Sequence, residues 1–160
     1  MQFMEDELSQ IMESVWESFL GMPVERTAAQ DDVSGSGGTV TGWVAISGAW
    51  QGGVMLECPV EIARHAATVL FQVPLEEVGS EQFLDTVKEL TNMTGGNLKA
   101  LLPPPCALGL PQVVQGGPEQ VAFPAQERLS RLCFKRQGQR LWVTLVSSEV
   151  TEPVGGELLN

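Results

Sequence analysis

The first twenty residues alternate apolar and polar positions with the period of an α-helix. Between residues 3 and 20 the apolar side chains recur three and four positions apart, at Leu8, Ile11, Met12, Val15, Trp16 and Phe19. Such a stripe covers one helix face and packs against a core. The acidic residues 5–7 open the segment, and Gly21 and Pro23 follow it. Negative charge in the first turn and these stop residues predict a helix over this segment.

Two later parts of the chain have the pattern of paired strands. Residues 39–46 are rich in β-branched side chains, and residues 54–58 follow a turn around Gly48 to Gly53. Residues 129–135 and 140–146 are joined by the short sequence Gln-Gly-Gln, and the second of them alternates apolar and polar positions. Both patterns are typical of antiparallel hairpins.

Two further helices are predicted between the hairpins. Pro59 is expected in the first turn of one of them, with a buried side formed by Ile62, Ala63, Ala66, Val69 and Leu70. The other is capped by Ser80 and ended by Pro103, with an inner stripe of Phe83, Val87, Leu90, Leu98 and Leu101. Helices segregated from hairpins predict an α+β fold, an antiparallel sheet covered by helices on one side.

Pro- and Gly-rich segments mark the expected loops. Residues 30–38 form a polar turn without the Lys-Ser/Thr of a phosphate-binding loop. Within residues 103–126 we expect a short edge strand at 112–114, because long structureless loops are uncommon inside a domain. The sequence predicts a single domain over residues 1–152 and a flexible tail over residues 153–160.

Composition excludes several classes of protein. The chain has 160 residues, 43% of them hydrophobic and 18% charged, which supplies material for a core. The formal net charge of −11 disfavours nucleic acid and anionic membranes as partners. No apolar run approaches the ~20 residues of a membrane-spanning helix, and an acidic start is unlike a secretory signal, so we expect a cytoplasmic location.

The basic, histidine and cysteine residues give weaker signals. Five basic residues cluster late in the chain and indicate the polar face of a strand pair, with an anion site as the alternative: Arg128, Arg131, Lys135, Arg136 and Arg140. His65 is the only histidine, and no nucleophile lies near it in sequence, so a structural role is expected. The three cysteines (58, 106 and 133) share no metal-ligand spacing and indicate reduced thiols, and no metal site is predicted.

The third predicted helix has a polar stripe opposite its apolar one. At 100° per residue the stripe comprises Asp85, Glu89, Asn92 and Gly96, with Lys88 and Lys99 beside it. A solvated helix face is the simpler interpretation. Gly95 and Gly96 favour a close approach of another backbone, because each costs roughly 1 kcal/mol inside a helix relative to Ala. That neighbour is either a partner protein or the chain's own sheet.

Residues 83–97, with the sequence Phe-Leu-Asp-Thr-Val-Lys-Glu-Leu-Thr-Asn-Met-Thr-Gly-Gly-Asn, resemble the helix signature of the CheC/CheX/FliY family of chemotaxis phosphatases. The signature positions are Glu89, Asn92, Gly96 and Asn97. The order of elements is similar over residues 4–148, including the Gly-rich turn near Trp50 and the segment Leu-Pro-x-Val-Val-x-Gly at 110–116. A single copy of the signature indicates the CheX-like branch, whose members form homodimers. Thr94 departs from the family's usual aliphatic residue.

The resemblance implies hydrolysis of the aspartyl phosphate on a CheY-like response-regulator receiver domain. Asn92 would position the attacking water, and Glu89 would pair with the partner's active-site lysine. Asp85, Gly96 and Asn97 would contact the partner. The chain would need no cofactor of its own, since Mg²⁺ is held by the phosphorylated partner. Two alternatives stay open: a catalytically silent module of the same fold that docks a receiver domain or a signalling or flagellar assembly, and an unrelated α+β domain.

Overall fold

Seven strands form one antiparallel sheet in the computed structural model, which describes residues 4–28, 37–121 and 127–148. The strands are β1 (Glu25–Thr27), β2 (Thr39–Gly48), β3 (Gly52–Pro59), β4 (Cys106–Leu108), β5 (Gln112–Gln115), β6 (Glu127–Arg136) and β7 (Gln139–Ser147). Their spatial order is β1-β6-β7-β3-β2-β4, and β5 also pairs with β2. Both predicted hairpins and the predicted edge strand are confirmed. The expected tail and most of the polar turn at 30–38 lie outside the described residues.

Three helices cover one face of this sheet. They are α1 (Glu5–Ser14), α2 (Val60–Phe71) and α3 (Ser80–Lys99), with shorter turns at Val15–Phe19, Leu75–Glu77 and Pro118–Gln120. The main core lies between helices and sheet, where Trp16 and Leu90 pack with Val44, Leu56 and Leu145. The predicted α+β class, an antiparallel sheet with helices on one side, is therefore confirmed.

The first helix ends differently from the prediction. Its pattern predicts a regular α-helix that buries Phe19, but residues Val15–Phe19 form a π-helical turn. A π-helix accommodates more residues per turn than an α-helix, so its later positions, including Phe19, are rotated around the axis relative to an α-helix. Phe19 is consequently 40% exposed, and Leu20 and Met22 occupy the core in its place.

Three details of α2 and α3 also differ. Val69 is 41% exposed near the end of α2, and Leu101 is 53% exposed because α3 ends two residues before it. The proposed cap at Ser80 is wrong, since the residue is already helical. Instead, the backbone N–H of Gly79 donates to the side-chain oxygen of Gln82 at 3.1 Å, which satisfies the helix start from within its first turn.

The strands β1 and β4 were not predicted, because each has only three residues.

Several of the basic residues near the end of the chain make contacts with the sheet and the loop before β1. Arg131 forms an ion pair with Glu57 at 3.0 Å and stacks on the Trp142 ring at 4.2 Å. Lys135 lies 3.9 Å from Glu25, and Arg136 donates to the backbone oxygen of Pro23. These partners belong to different strands and loops, so Arg131, Lys135 and Arg136 do not converge on one anion.

The histidine and the cysteines lie apart from one another in the described part of the chain. His65 is exposed on α2, 3.3 Å from Glu61. All three cysteines are free, and burial raises the pKa of the Cys58 and Cys133 thiols, which keeps them protonated. Across the described ranges, no group of His, Cys, Asp and Glu has the geometry to hold a metal ion, and none of the helices has the length and apolarity to cross a membrane.

Candidate functional site

Helix α3 lies unusually close to strand β2, and two glycines permit the contact. Gly42 of β2 lies under Thr91, whose Oγ1 occupies the space that a Cβ at position 42 would need. Gly95 of α3 lies over Val44, and a Cβ at position 95 would be 2.6 Å from Val44 Cγ1. Removing the side chain from one side of each contact lets helix and sheet approach more closely than ordinary packing allows.

Threonines on the buried side of α3 suit this close packing. The hydroxyls of Thr86, Thr91 and Thr94 donate to the backbone oxygens of Gln82, Val87 and Leu90, at 2.8, 2.7 and 2.8 Å. Each buried hydroxyl is thereby satisfied within the helix, so none carries the desolvation cost of an unpaired polar group. Thr94 therefore fills its fully buried position without needing a partner on the sheet.

The opposite side of α3 carries the predicted polar stripe. Asp85 and Glu89 are exposed, and Asn92 and Gly96 are half-buried. The helix brings these four residues to one side. Glu89 and Asn92 are three positions apart, which is a rise of roughly 4.5 Å along the helix axis. Within the described ranges, neither Glu89 nor Asn92 has a side-chain hydrogen bond or ion pair, whereas Lys88 lies 4.0 Å from Asp85.

The two adjacent glycines have different surroundings. A Cβ at Gly95 would meet Val44 and also Leu108, at 3.2 Å, so this glycine serves the contact with the chain's own sheet. A Cβ at Gly96 would meet nothing closer than Leu108 Cδ2 at 3.9 Å. Packing within the chain thus accounts for Gly95 and leaves Gly96 without a structural requirement.

Asn97 stands apart from the stripe. It follows Gly96 by one residue, which is a rotation of about 100° around the helix, and its Nδ2 donates to the backbone oxygen of Met93 at 2.8 Å. The residue faces the side of α3 on which α1 lies and lines a groove between the two helices. Sequence reasoning missed the α1 side of this groove, although Glu7, Gln10 and Ser14 recur three and four positions apart there.

The exposed face combines a neutral amide and a carboxylate that are both unengaged. An amide can accept a hydrogen bond from water and donate one to an anionic oxygen, without charge repulsion. The carboxylate one turn away can bind a cation on a partner. This arrangement is suited to orienting a water molecule against a group that another protein presents.

Several solved structures share this fold, and two of those most similar are named as chemotaxis proteins. The CheX protein from Vibrio vulnificus aligns with a TM-score of 0.69 and 17% identity, over 88% of this chain and 93% of that one. The CheX chain in the CheX-CheY-BeF₃-Mg²⁺ complex from Borrelia burgdorferi aligns with a TM-score of 0.70 and 18% identity, over 89% and 97%. FliY from Thermotoga maritima aligns with a TM-score of 0.55 and 15% identity, over 89% of each chain. These likenesses support the fold.

The sequence itself carries the family assignment. No curated protein sequence matches the chain significantly. The sequence model of one family, described as chemotaxis phosphatase CheX, matches residues 40–135, which is more than half of the chain and includes all of β3, α2 and α3. The polar stripe with its signature residues lies inside that match. The chain therefore belongs to the CheX family of chemotaxis phosphatases.

Proposed function

We propose that the chain hydrolyses the aspartyl phosphate of a CheY-like receiver domain in chemotaxis or a related two-component pathway. One observation carries the proposal: the unengaged Asn92 amide lies one turn from the unengaged Glu89 carboxylate on the outer side of α3. Family membership supports it, because the family is described as a chemotaxis phosphatase. The Borrelia relative forms a complex with CheY, which supports the same class of partner.

The reaction needs little from this chain beyond positioning. Water attacks phosphorus, the bond between phosphorus and the aspartyl oxygen breaks, and the products are inorganic phosphate and a free carboxylate. The aspartate leaves as a stable carboxylate, and the protons of the water pass to phosphate and solvent. The barrier falls when the water is held in line with the breaking bond. The Asn92 oxygen accepts a hydrogen bond from that water, and its amide N–H reaches a phosphoryl oxygen.

Glu89 has the docking role in this proposal. A carboxylate beside a phosphoryl group is repelled unless it meets a cation, and a lysine of the receiver's active site supplies one. The Mg²⁺ that neutralises phosphoryl charge is held by the receiver, so the chain supplies no metal ligands. Asp85 is exposed beside Lys88 and lies at the rim of this face, where solvent screens its charge, so it contributes little to binding. The homodimer expected from the CheX-like branch, with edge strands available for pairing, stays a prediction.

The proposal is tested by phosphate release from a receiver domain charged with acetyl phosphate. The wild-type chain is expected to accelerate the loss of the phosphoryl group well beyond the receiver's own rate. Glu89→Gln is expected to raise KM for the receiver about tenfold or more, because a charge-assisted bond to lysine is lost. Asp85→Asn is the matched control, since it removes an exposed carboxylate from the same face, and its KM should change by less than about threefold.

Binding of the receiver without acceleration would instead identify a catalytically silent docking module. A wild-type chain that neither binds nor dephosphorylates receiver domains would overturn the proposal. An equal loss with Asp85→Asn and Glu89→Gln would show that general negative charge, and no specific pair, is responsible.

The neighbouring glycines give a second test of docking at this face. Gly96→Ala is expected to raise the free energy of unfolding by about 0.5–1 kcal/mol, because the new methyl group has room and helix propensity improves. The same variant should raise KM for the receiver, because the methyl group separates the two backbones. A Gly96→Ala variant with unchanged KM would remove Gly96 from the contact.

Gly95→Ala is the matched comparison, with the opposite sign for stability. Its methyl group would lie 2.6 Å from Val44 Cγ1, so the overpacking outweighs the gain in helix propensity. We expect a net loss of about 1 kcal/mol in the free energy of unfolding. Urea titrations of the two variants beside the wild type measure both effects, and stabilisation by Gly95→Ala would contradict the packing argument.

A further inference from the structure

A groove separates α1 from the end of α3, next to the polar stripe. Its volume is about 240 Å³, with an apolar floor of Ile11, Val15 and Leu101 and a polar rim that includes Glu7, Ser14 and Asn97. We propose that this α1–α3 groove receives an apolar side chain of the receiver domain that is flanked by a basic residue. This inference rests on the proposed function and adds a second point of attachment to it.

The apolar floor and the volume of the groove suit the binding of a single apolar side chain. Leu101 is 53% exposed at its floor, so apolar surface is open to water in the free protein. An apolar side chain that covers this surface is stabilised because apolar area is removed from water. The volume of about 240 Å³ is below the ~300–1,000 Å³ of pockets that hold small-molecule ligands, which favours one side chain of a protein.

The groove lies close enough to Asn92 for a bound receiver domain to reach it. Leu101 follows Asn92 by nine residues, a distance of roughly 14 Å along the helix direction. A protein interface of standard size buries about 800 Å² on each partner, which corresponds to a disc with a radius of roughly 16 Å. A receiver whose phosphoryl group reaches Asn92 is therefore wide enough to extend around α3 to the groove on its α1 side. Asn97 belongs to the groove and adjoins Gly96 in the docking stripe.

The charge at the rim specifies the chemistry of the visiting segment. Glu7 is exposed and has no ion-pair partner among the described residues, whereas the nearby Glu5 is paired with Arg26 at 3.3 Å. The whole chain has a formal charge of −11, so no general positive field compensates Glu7. A lysine or arginine beside the inserted apolar side chain complements this carboxylate and contributes to the rate of association.

The probe is a CheY-type receiver domain loaded with Mg²⁺ and BeF₃⁻, a stable phosphoryl analogue, and its Kd is measured by calorimetry. Leu101→Ser is expected to raise Kd about tenfold, because the apolar floor is lost. Glu7→Lys is expected to raise Kd about threefold to tenfold at low salt and less at high salt. Both residues are exposed, so circular dichroism should show unchanged folding. In phosphate release, the loss should appear in KM and leave kcat within about twofold.

Each variant has a matched control away from the groove. Val69 is an exposed apolar residue near the end of α2, on the segment that leads to the start of α3, so Val69→Ser controls for Leu101→Ser. Glu13 is an exposed carboxylate of α1 that does not line the groove, so Glu13→Lys controls for Glu7→Lys. Neither control is expected to change Kd by more than about twofold.

The outcomes separate this inference from the proposed function. A receiver that binds and is dephosphorylated, with Kd unchanged in both groove variants, overturns the groove inference and leaves the phosphatase intact. No binding and no turnover by the wild type overturns both. Equal losses of receiver affinity in the control variants would also overturn the groove inference. The same holds if Leu101→Ser dissociates a homodimer and leaves receiver affinity unchanged, because the groove would then be occupied by a second copy of the chain.

Discussion

Replacing Asn92 with alanine is expected to lower kcat for dephosphorylation of the receiver by about a hundredfold or more and to leave the Kd of the receiver nearly unchanged. The amide is half-buried and makes no hydrogen bond within the described residues, so its removal costs the fold little. Its proposed contacts, to the attacking water and a phosphoryl oxygen, gain most of their strength in the transition state. Loss of such contacts lowers kcat rather than affinity.

Asn97→Ala is the matched control for this prediction. It removes the same chemical group five residues later, but that amide already donates to the Met93 oxygen and points away from the stripe. Its kcat should stay within about threefold of the wild type. Asn92→Asp adds a second test, because it keeps the shape and places negative charge against the phosphoryl group, so it should be at least as inactive as Asn92→Ala. Single-turnover rates equal to the wild type in Asn92→Ala would end the catalytic assignment.

Replacing Gly42 with alanine is expected to have the largest effect on stability, a loss of about 2–3 kcal/mol in the free energy of unfolding. A methyl group at this position would overlap Thr91 Oγ1 and would lie 3.1 Å from Thr91 Cβ, inside the fully buried contact between β2 and α3. Neither residue can turn away, because Thr91 is held by its bond to Val87 and Gly42 by the strand pairing. Helix α3 must then move outward from the sheet.

A double-mutant cycle identifies the cause. Thr91→Ala removes the overlapping oxygen, so Gly42→Ala should cost less in that background, with a coupling energy of at least about 1 kcal/mol. Chemical denaturation of the wild type, both single variants and the double variant gives the four values required. Additive losses would show that the destabilisation comes from the strand and has no connection with the helix contact.

Much of the fold was readable from the sequence because its elements are regular. The α3 stripe repeats over five turns, and the hairpins have β-branched strands with short turns, so local pattern and final structure agree. Prediction failed where a local feature broke the repeat. The π-helical turn at Val15–Phe19 rotates Phe19 out of the core, and the spacing of the apolar residues does not predict that turn.

The candidate site, like the fold, could be predicted from the sequence only in part. The spacing of Asp85, Glu89, Asn92 and Gly96 predicted a common side, because helix geometry alone decides it. The distinct roles of Gly95 and Gly96 could not be predicted, since they depend on Val44 and Leu108, which are distant in sequence. A clue to the Gly42 contact existed, because a glycine within a β-branched strand often marks the close approach of another backbone. The groove beside α1 depends on how two helices meet, which the sequence does not encode locally.

The polar stripe of α3 lies on a different side of the helix from the residues that anchor it to the sheet. The anchoring contacts at Thr91 and Gly95 lie on the sheet side, whereas Asp85 and Glu89 are exposed and a Cβ at Gly96 would have room. Substitutions at the exposed positions of this stripe are therefore expected to leave the domain folded. If the chain hydrolyses the aspartyl phosphate as proposed, few substitutions on this face suffice to change the receiver that it acts on, or to leave a binding module without activity.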